Sequence, residues 1–101
     1  MKLVYAPHAL KDIDEILAYI HERNPQGARN VSFAIEHTAR ICAETPRGGA
    51  STNEPHVYRW PLSRYRFAIF YRHDPTEQVV EIIRVVRASR IRNLRRVHDD
   101  H

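Results

Sequence analysis

The spacing of apolar residues changes period once along this 101-residue chain, and that change decides the fold class. In the first half, Leu10, Ile13, Ile16, Leu17 and Ile20 recur at steps of three and four, with Lys11, Asp12, Asp14 and Glu15 assigned to the opposite face. That spacing predicts an amphipathic helix of about four turns, opened by Pro7, whose missing N–H costs nothing at a first helical position. Asn24-Pro25 ends it, because the residue before a proline is pushed out of the helical region. A second helix is expected over residues 26–44, with Val31, Ile35, Thr38, Ile41 and Cys42 as its inward stripe. Almost nothing joins the two, so they form an antiparallel hairpin.

Pro46-Arg47-Gly48-Gly49 closes the second helix, and residues 45–55 read as a loop. Beyond it the period falls to two. Val57-Tyr58-Arg59-Trp60 is a strand cut by Pro61, and residues 65–72, rich in aromatic and branched side chains, are the next. His73-Asp74-Pro75-Thr76-Glu77 turns the chain. Residues 78–86 are then a strand dense enough in branched residues to be central and buried on both faces. Lys2 to Tyr5 supplies an N-terminal strand. Ser89 can cap a short last helix carrying Ile91, Leu94 and Val97, and residues 98–101 read as a frayed tail. The expectation is one α+β domain over residues 1–101: an N-terminal strand, then a helix hairpin packed on a mostly antiparallel four-stranded sheet, then a short C-terminal helix.

Charge is distributed unevenly. Residues 1–50 carry six basic and six acidic side chains, while residues 51–101 carry ten and six, which accounts for the whole net charge of +4. Arg84, Arg87, Arg90, Arg92, Arg95 and Arg96 fall within residues 84–96, a stretch with no acid. Such a segment is either a solvated end or a surface for an acidic partner or nucleic acid, to which planar guanidinium groups are suited. Cys42 is the single cysteine, so no intrachain disulfide forms, and its apolar neighbours read as core packing rather than reactivity. No apolar stretch at the N-terminus is long enough for a signal peptide or membrane span, and a cytoplasmic location is expected.

The order of these elements, with these residues, resembles the RelE/ParE toxin superfamily, its ParE branch in particular, over residues 3–97. The resemblance is carried by Ala9, Asp12, Ile13, Ile16 and Tyr19-Ile20 in the first helix. It continues through Asn24-Pro25-Gln26-Gly27-Ala28 at the helix junction, Pro46-Arg47-Gly48 after the hairpin and the tyrosine-bounded strand Tyr65 to Tyr71. It ends with the last strand running into Arg84, Arg87 and Arg90. Two positions depart from the pattern. Members of the ParE type commonly carry a His where this chain has Arg87, and an Asp where it has Ile91, so only Arg90 is carried over as an important position.

The resemblance implies a toxin of a type II toxin–antitoxin module that inhibits DNA gyrase. Its implied partner is a ParD-like, ribbon-helix-helix antitoxin that lays an acidic amphipathic segment across hairpin and sheet, joins it in a hetero-oligomer, and brings it to operator DNA. Candidate target contacts are Arg84, Arg87, Arg90, Arg92, Arg95 and Arg96; candidate antitoxin anchors are Tyr19, Phe33 and Trp60. The RelE branch implies an alternative, a ribosome-dependent mRNA endoribonuclease, in which Arg66, Arg84 and Arg90 would stabilise phosphorane charge and His98 would move a proton. A third reading keeps partner or operator binding without either activity. Arginine cannot exchange protons near neutrality, and Tyr71 reads as a sheet aromatic with its hydroxyl at the rim rather than a general acid. His8, His21 and His37 share no face, and His56 and His73 flank strands. No cofactor or metal is expected: no His, Cys or carboxylate pair has a spacing that suggests a closed metal site, His98 and His101, three apart in the tail, being weak evidence, and Gly48-Gly49 is no phosphate loop.

Overall fold

The structure, a computed structural model, describes residues 1–88. Strand β1 (Lys2–Tyr5) leads into helix α1 (Pro7–Arg23) and helix α2 (Pro25–Glu44); then follow β2 (Ala50–Ser51), β3 (Val57–Pro61), β4 (Phe67–Asp74) and β5 (Val79–Arg87). Asn24 serves both helices. Its extended backbone, with φ −158° and ψ 91°, is what Pro25 imposes, and its N–H still closes α1 on the Ile20 carbonyl at 2.7 Å. Its side chain caps α2 by accepting the Gly27 N–H at 3.0 Å. Glycine at 27 leaves room for this cap, since a Cβ there would lie 2.9 Å from the Asn24 side-chain nitrogen and the capping side chain would have to shift.

The expected α+β architecture is present, with one strand more than expected. The sheet has five strands in the order β1-β5-β4-β3-β2, with β1 parallel to β5 and every other pair antiparallel. The addition is β2, inside the segment read as loop: Ala50 and Ser51, both exposed, pair with Arg59 and Tyr58 at the sheet edge. Two exposed residues carry no burial pattern, so nothing local announces them. Strand β4 starts at Phe67 and runs on through His73 and Asp74, residues assigned to the turn. The reversal instead takes residues 75–78, with the Asp74 carboxylate accepting the Thr76 and Glu77 N–H groups. The expected C-terminal helix and the 98–101 tail lie outside the described residues.

Both helices lie on one face of the sheet. Ala9, Val31, Ile35, Ala39 and Cys42 meet Phe67, Ile69, Tyr71, Val80, Ile82 and Val85 there. Strand β5 is central, but one of its faces is only half-buried, at Val79, Glu81, Ile83 and Val86, because no described helix covers that side. Between Phe70 and Tyr71 the register slips: Phe70 opposes Arg84 and Tyr71 opposes Ile82, leaving Ile83 as the extra residue of a bulge. The inward positions therefore run Val80, Ile82, then Val85. Helix α1 is turned from the orientation its apolar spacing suggested. Leu10 is half exposed, whereas Ala9 and Asp12 are buried.

Candidate partner-binding site

Strand β5 has nine residues and its neighbour β1 has four, so β1 ends opposite Ile82, with the Ala6 N–H donating to the Ile82 carbonyl. The second half of β5 thus has β4 on one side and α1 on the other. Asp12 fills the gap. Its carboxylate accepts the Val85 N–H at 3.0 Å, a ladder position no strand occupies, and also Arg84 Nε at 2.8 Å and Nη2 at 3.2 Å. Burial by itself would raise the Asp12 pKa; the Arg84 and Val85 hydrogen bonds and the Arg84 charge outweigh it and hold the carboxyl below its ordinary value. The same hydrogen bond raises the Arg84 pKa against a smaller effect of burial. One of the six arginines of the basic stretch is therefore engaged within the fold.

Arg87 stands at the end of β5, exposed, with its guanidinium carbon 5.5 Å from the Tyr19 ring centre and 5.7 Å from that of Phe67. Arg23 approaches the same Tyr19 ring from one turn further along α1, at 3.8 Å, steadied by an Nη1 donation to the Tyr19 carbonyl at 2.9 Å. Tyr19 itself is 50% exposed. A residue expected to anchor the antitoxin and a residue expected to contact the target are thus neighbours. Arg66 is exposed at this end of the sheet, where its carbonyl accepts the Ala88 N–H at 2.9 Å.

The remaining candidates do not join this cluster. Phe33 is 66% exposed on α2, directly opposite the helix face that enters the core. Trp60 is half-buried against the core. The Tyr71 hydroxyl is not at the rim: fully buried, it donates to the Pro46 carbonyl at 2.9 Å and accepts the Gly49 N–H at 3.1 Å. Burial is the main cause pushing its pKa up to about 12, with the nearby Cys42 adding to the rise. His73 is buried, with Nε2 making no hydrogen bond. Arg90, Arg92, Arg95, Arg96 and His98 lie outside the described residues. Among the described residues no three His, Cys, Asp or Glu side chains gather as a metal site, and no helix is long and apolar enough to cross a membrane.

The family described as ParE toxin of type II toxin-antitoxin system, parDE, matches residues 3–92. The chain belongs to the ParE toxin family. It is the toxin component of a type II toxin–antitoxin module. Among solved structures, the chromosomal ParDE system from P. aeruginosa superposes on this ParE chain with a TM-score of 0.74 at 22% identity, covering 86% of this chain and 95% of that one. The isolated E. coli RelE toxin gives 0.62 at 18% identity over 95% and 97% of the two chains. The intact E. coli RelBE toxin–antitoxin complex gives 0.62 at 19% over 86% and 95%. At such identities these likenesses speak for the shared fold. No curated protein matches the sequence of this chain.

Asp12 is the site residue the sequence reading misplaced, having been assigned to the solvent face. Its signal was nonetheless there: Ala9, Asp12, Ile13, Ile16 and Ile20 follow helical spacing, so Asp12 shares the inward stripe. The Arg23 contribution left no comparable trace.

Proposed function

We propose that this ParE chain inhibits DNA gyrase by binding it through the arginine-dense end, with Arg87 and Arg90 among the contacts, and that a ParD-like ribbon-helix-helix antitoxin silences it. The observation that carries this reading is the contrast between Arg84 and Arg87. Arg84 is engaged by Asp12, whereas Arg87, three residues on, projects from the strand end with no carboxylate partner among the described residues. A cation presented this way suits recognition of an acidic or phosphate-bearing surface. Against catalysis of phosphodiester cleavage stands the state of Tyr71, buried and doubly hydrogen-bonded beneath the loop after α2, where it is far too weak an acid to serve near neutrality. The cytoplasm is the compartment where gyrase and a reduced Cys42 both belong, and operator binding would pass through the antitoxin.

Purified toxin is expected to inhibit gyrase supercoiling, and Arg87→Ala and Arg90→Ala are expected to inhibit less. Unimpeded supercoiling at saturating toxin, together with cut mRNA in a translating extract, would replace this reading with that of a ribosome-dependent endoribonuclease.

A further inference from the structure

We propose that Tyr19, Arg23 and Arg87 form a receptor for a single carboxylate of the protein partner, an Asp or Glu side chain of the antitoxin. The proposal rests on the toxin–antitoxin reading and says where on the toxin the partner is held.

Two guanidinium groups from different elements, the last turn of α1 and the end of β5, converge on one half-exposed ring. Each is attracted to the ring face, but the two repel each other, and they remain in water, where an incoming anion can reach them. Among the described residues the one carboxylate paired with Arg23 is that of the neighbouring Glu22 at 3.8 Å, with both side chains mostly exposed, a pair that holds weakly and exchanges readily. Arg87 has no carboxylate partner among the described residues; its guanidinium carbon lies 5.5 Å from the Tyr19 ring centre and 5.7 Å from that of Phe67. A carboxylate arriving at the exposed edge of the Tyr19 ring would accept charge-assisted hydrogen bonds from a guanidinium beside it and offset the repulsion between the two cations. The exposed part of the Tyr19 ring offers an apolar floor to the residues beside it.

The surroundings select a peptide over a nucleic acid. Glu15 and Glu22 lie four before and three after Tyr19, on the same face of α1. A phosphodiester track would have to run across these carboxylates, whereas one acidic side chain enters between them. A partner seated on Tyr19 also covers Arg87, so antitoxin and target would compete for this site, and neutralisation follows from overlap.

The test uses the full-length toxin and the antitoxin encoded beside it, with affinity measured at low and high salt for wild type, Tyr19→Ala, Arg87→Ala, Arg87→Gln and the charge-matched control Arg40→Ala. Losses of about tenfold or more are expected at low salt for the first three variants, shrinking as salt rises, and none is expected for Arg40→Ala. Within the antitoxin, one Asp or Glu should exist whose replacement by Ala adds nothing in the Arg87→Ala background. The Arg87 guanidinium NMR signal should shift on complex formation even if a variant folds poorly. Failure of the wild-type toxin to bind would sink the toxin–antitoxin reading itself. Wild-type binding with unchanged variants and a still Arg87 signal would overturn the receptor alone. Loss of affinity for a duplex DNA or single-stranded RNA oligonucleotide, with antitoxin affinity intact, would do the same in favour of a nucleic-acid contact.

Discussion

Asp12 and Arg84, 72 residues apart in sequence, are joined by two hydrogen bonds where strand β1 has run out. The same carboxylate takes the Val85 N–H and so completes the flank of β5 with a side chain instead of a strand. Replacing Asp12 with Ala leaves that N–H and the Arg84 guanidinium short of an acceptor. The Arg84 side chain is 36% exposed and water compensates it in part, so the expected loss is about 1–3 kcal/mol rather than the larger cost of an orphaned interior charge. Urea unfolding of the variant measures it, and an unchanged midpoint would show that the contact is not stabilising.

Acid stability follows from the same carboxylate. Its pKa is lower in the folded chain than the ordinary 3.8, so the folded state binds the proton less well than the unfolded state does. The stabilisation is therefore complete above the ordinary value and is lost as pH falls through the lower, folded one. Asp12→Asn should be less stable than wild type at neutral pH and should lose less on acidification. Parallel stability curves for the two proteins below pH 4 would contradict this.

How much of this was legible depends on which force sets each feature. The helix hairpin and the β3–β5 meander are driven by burial, and burial writes its period directly into Ile13, Ile16 and Ile20 or into Ile69, Tyr71, Val80 and Ile82. Strand β2 is set by pairing with β3 alone and leaves no apolar trace. Asp12 stands in sequence among Lys11, Asp14 and Glu15, and carboxylates are usually solvated. Helical spacing with Ala9, Ile13 and Ile16 marks it as inward, but the arginine and the N–H that receive it stand at the far end of the chain, and single-helix periodicity cannot name them. The meeting of Tyr19 with Arg87 likewise depends on β5 taking the place beside β1, a property of strand order.

The Tyr71 hydroxyl ties the loop after α2 to the sheet through Pro46 and Gly49. Tyr71→Phe should cost about 1–2 kcal/mol and speed hydrogen exchange at the Gly49 amide. Gly49→Ala should be worse than that, because a Cβ would lie 2.6 Å from the Tyr71 hydroxyl and 2.8 Å from the Arg59 carbonyl, and the second of these is backbone that cannot swing aside. A Gly49→Ala protein as stable as wild type would show that the loop is not pinned this way. The raised phenol pKa also sets an alkaline limit. Its contribution is whole below the ordinary 10.0 and disappears as pH climbs through about 12, which tyrosinate absorbance can follow.

Asn24 closes one helix and opens the next, so its substitutions separate the two roles. Asn24→Ala keeps the backbone bond to Ile20 and removes only the side-chain cap on Gly27, for an expected loss of about 1 kcal/mol. Asn24→Asp keeps an acceptor in place and adds a negative charge at the N-terminus of α2, so it should match or exceed wild type. Equal losses in both variants would mean that the cap contributes nothing beyond the space it fills.

Cys42 is fully buried on α2, and burial pushes its thiol from 9.0 up to about 12. Thiol reagents attack the thiolate, so the pKa change alone leaves about a thousandfold less reactive species at a given pH below 9, before access is considered. Alkylation in the native state should therefore be slow and should track opening of the helix hairpin, with rapid labelling once urea unfolds the chain. Cys42→Ser, which puts a hydroxyl among Ile35, Ala39 and Tyr71, should cost about 1–3 kcal/mol without altering antitoxin affinity. Native labelling as fast as that of the unfolded chain would mean that the core around Cys42 is open to solvent, and the packing of α2 on the sheet would have to be redrawn.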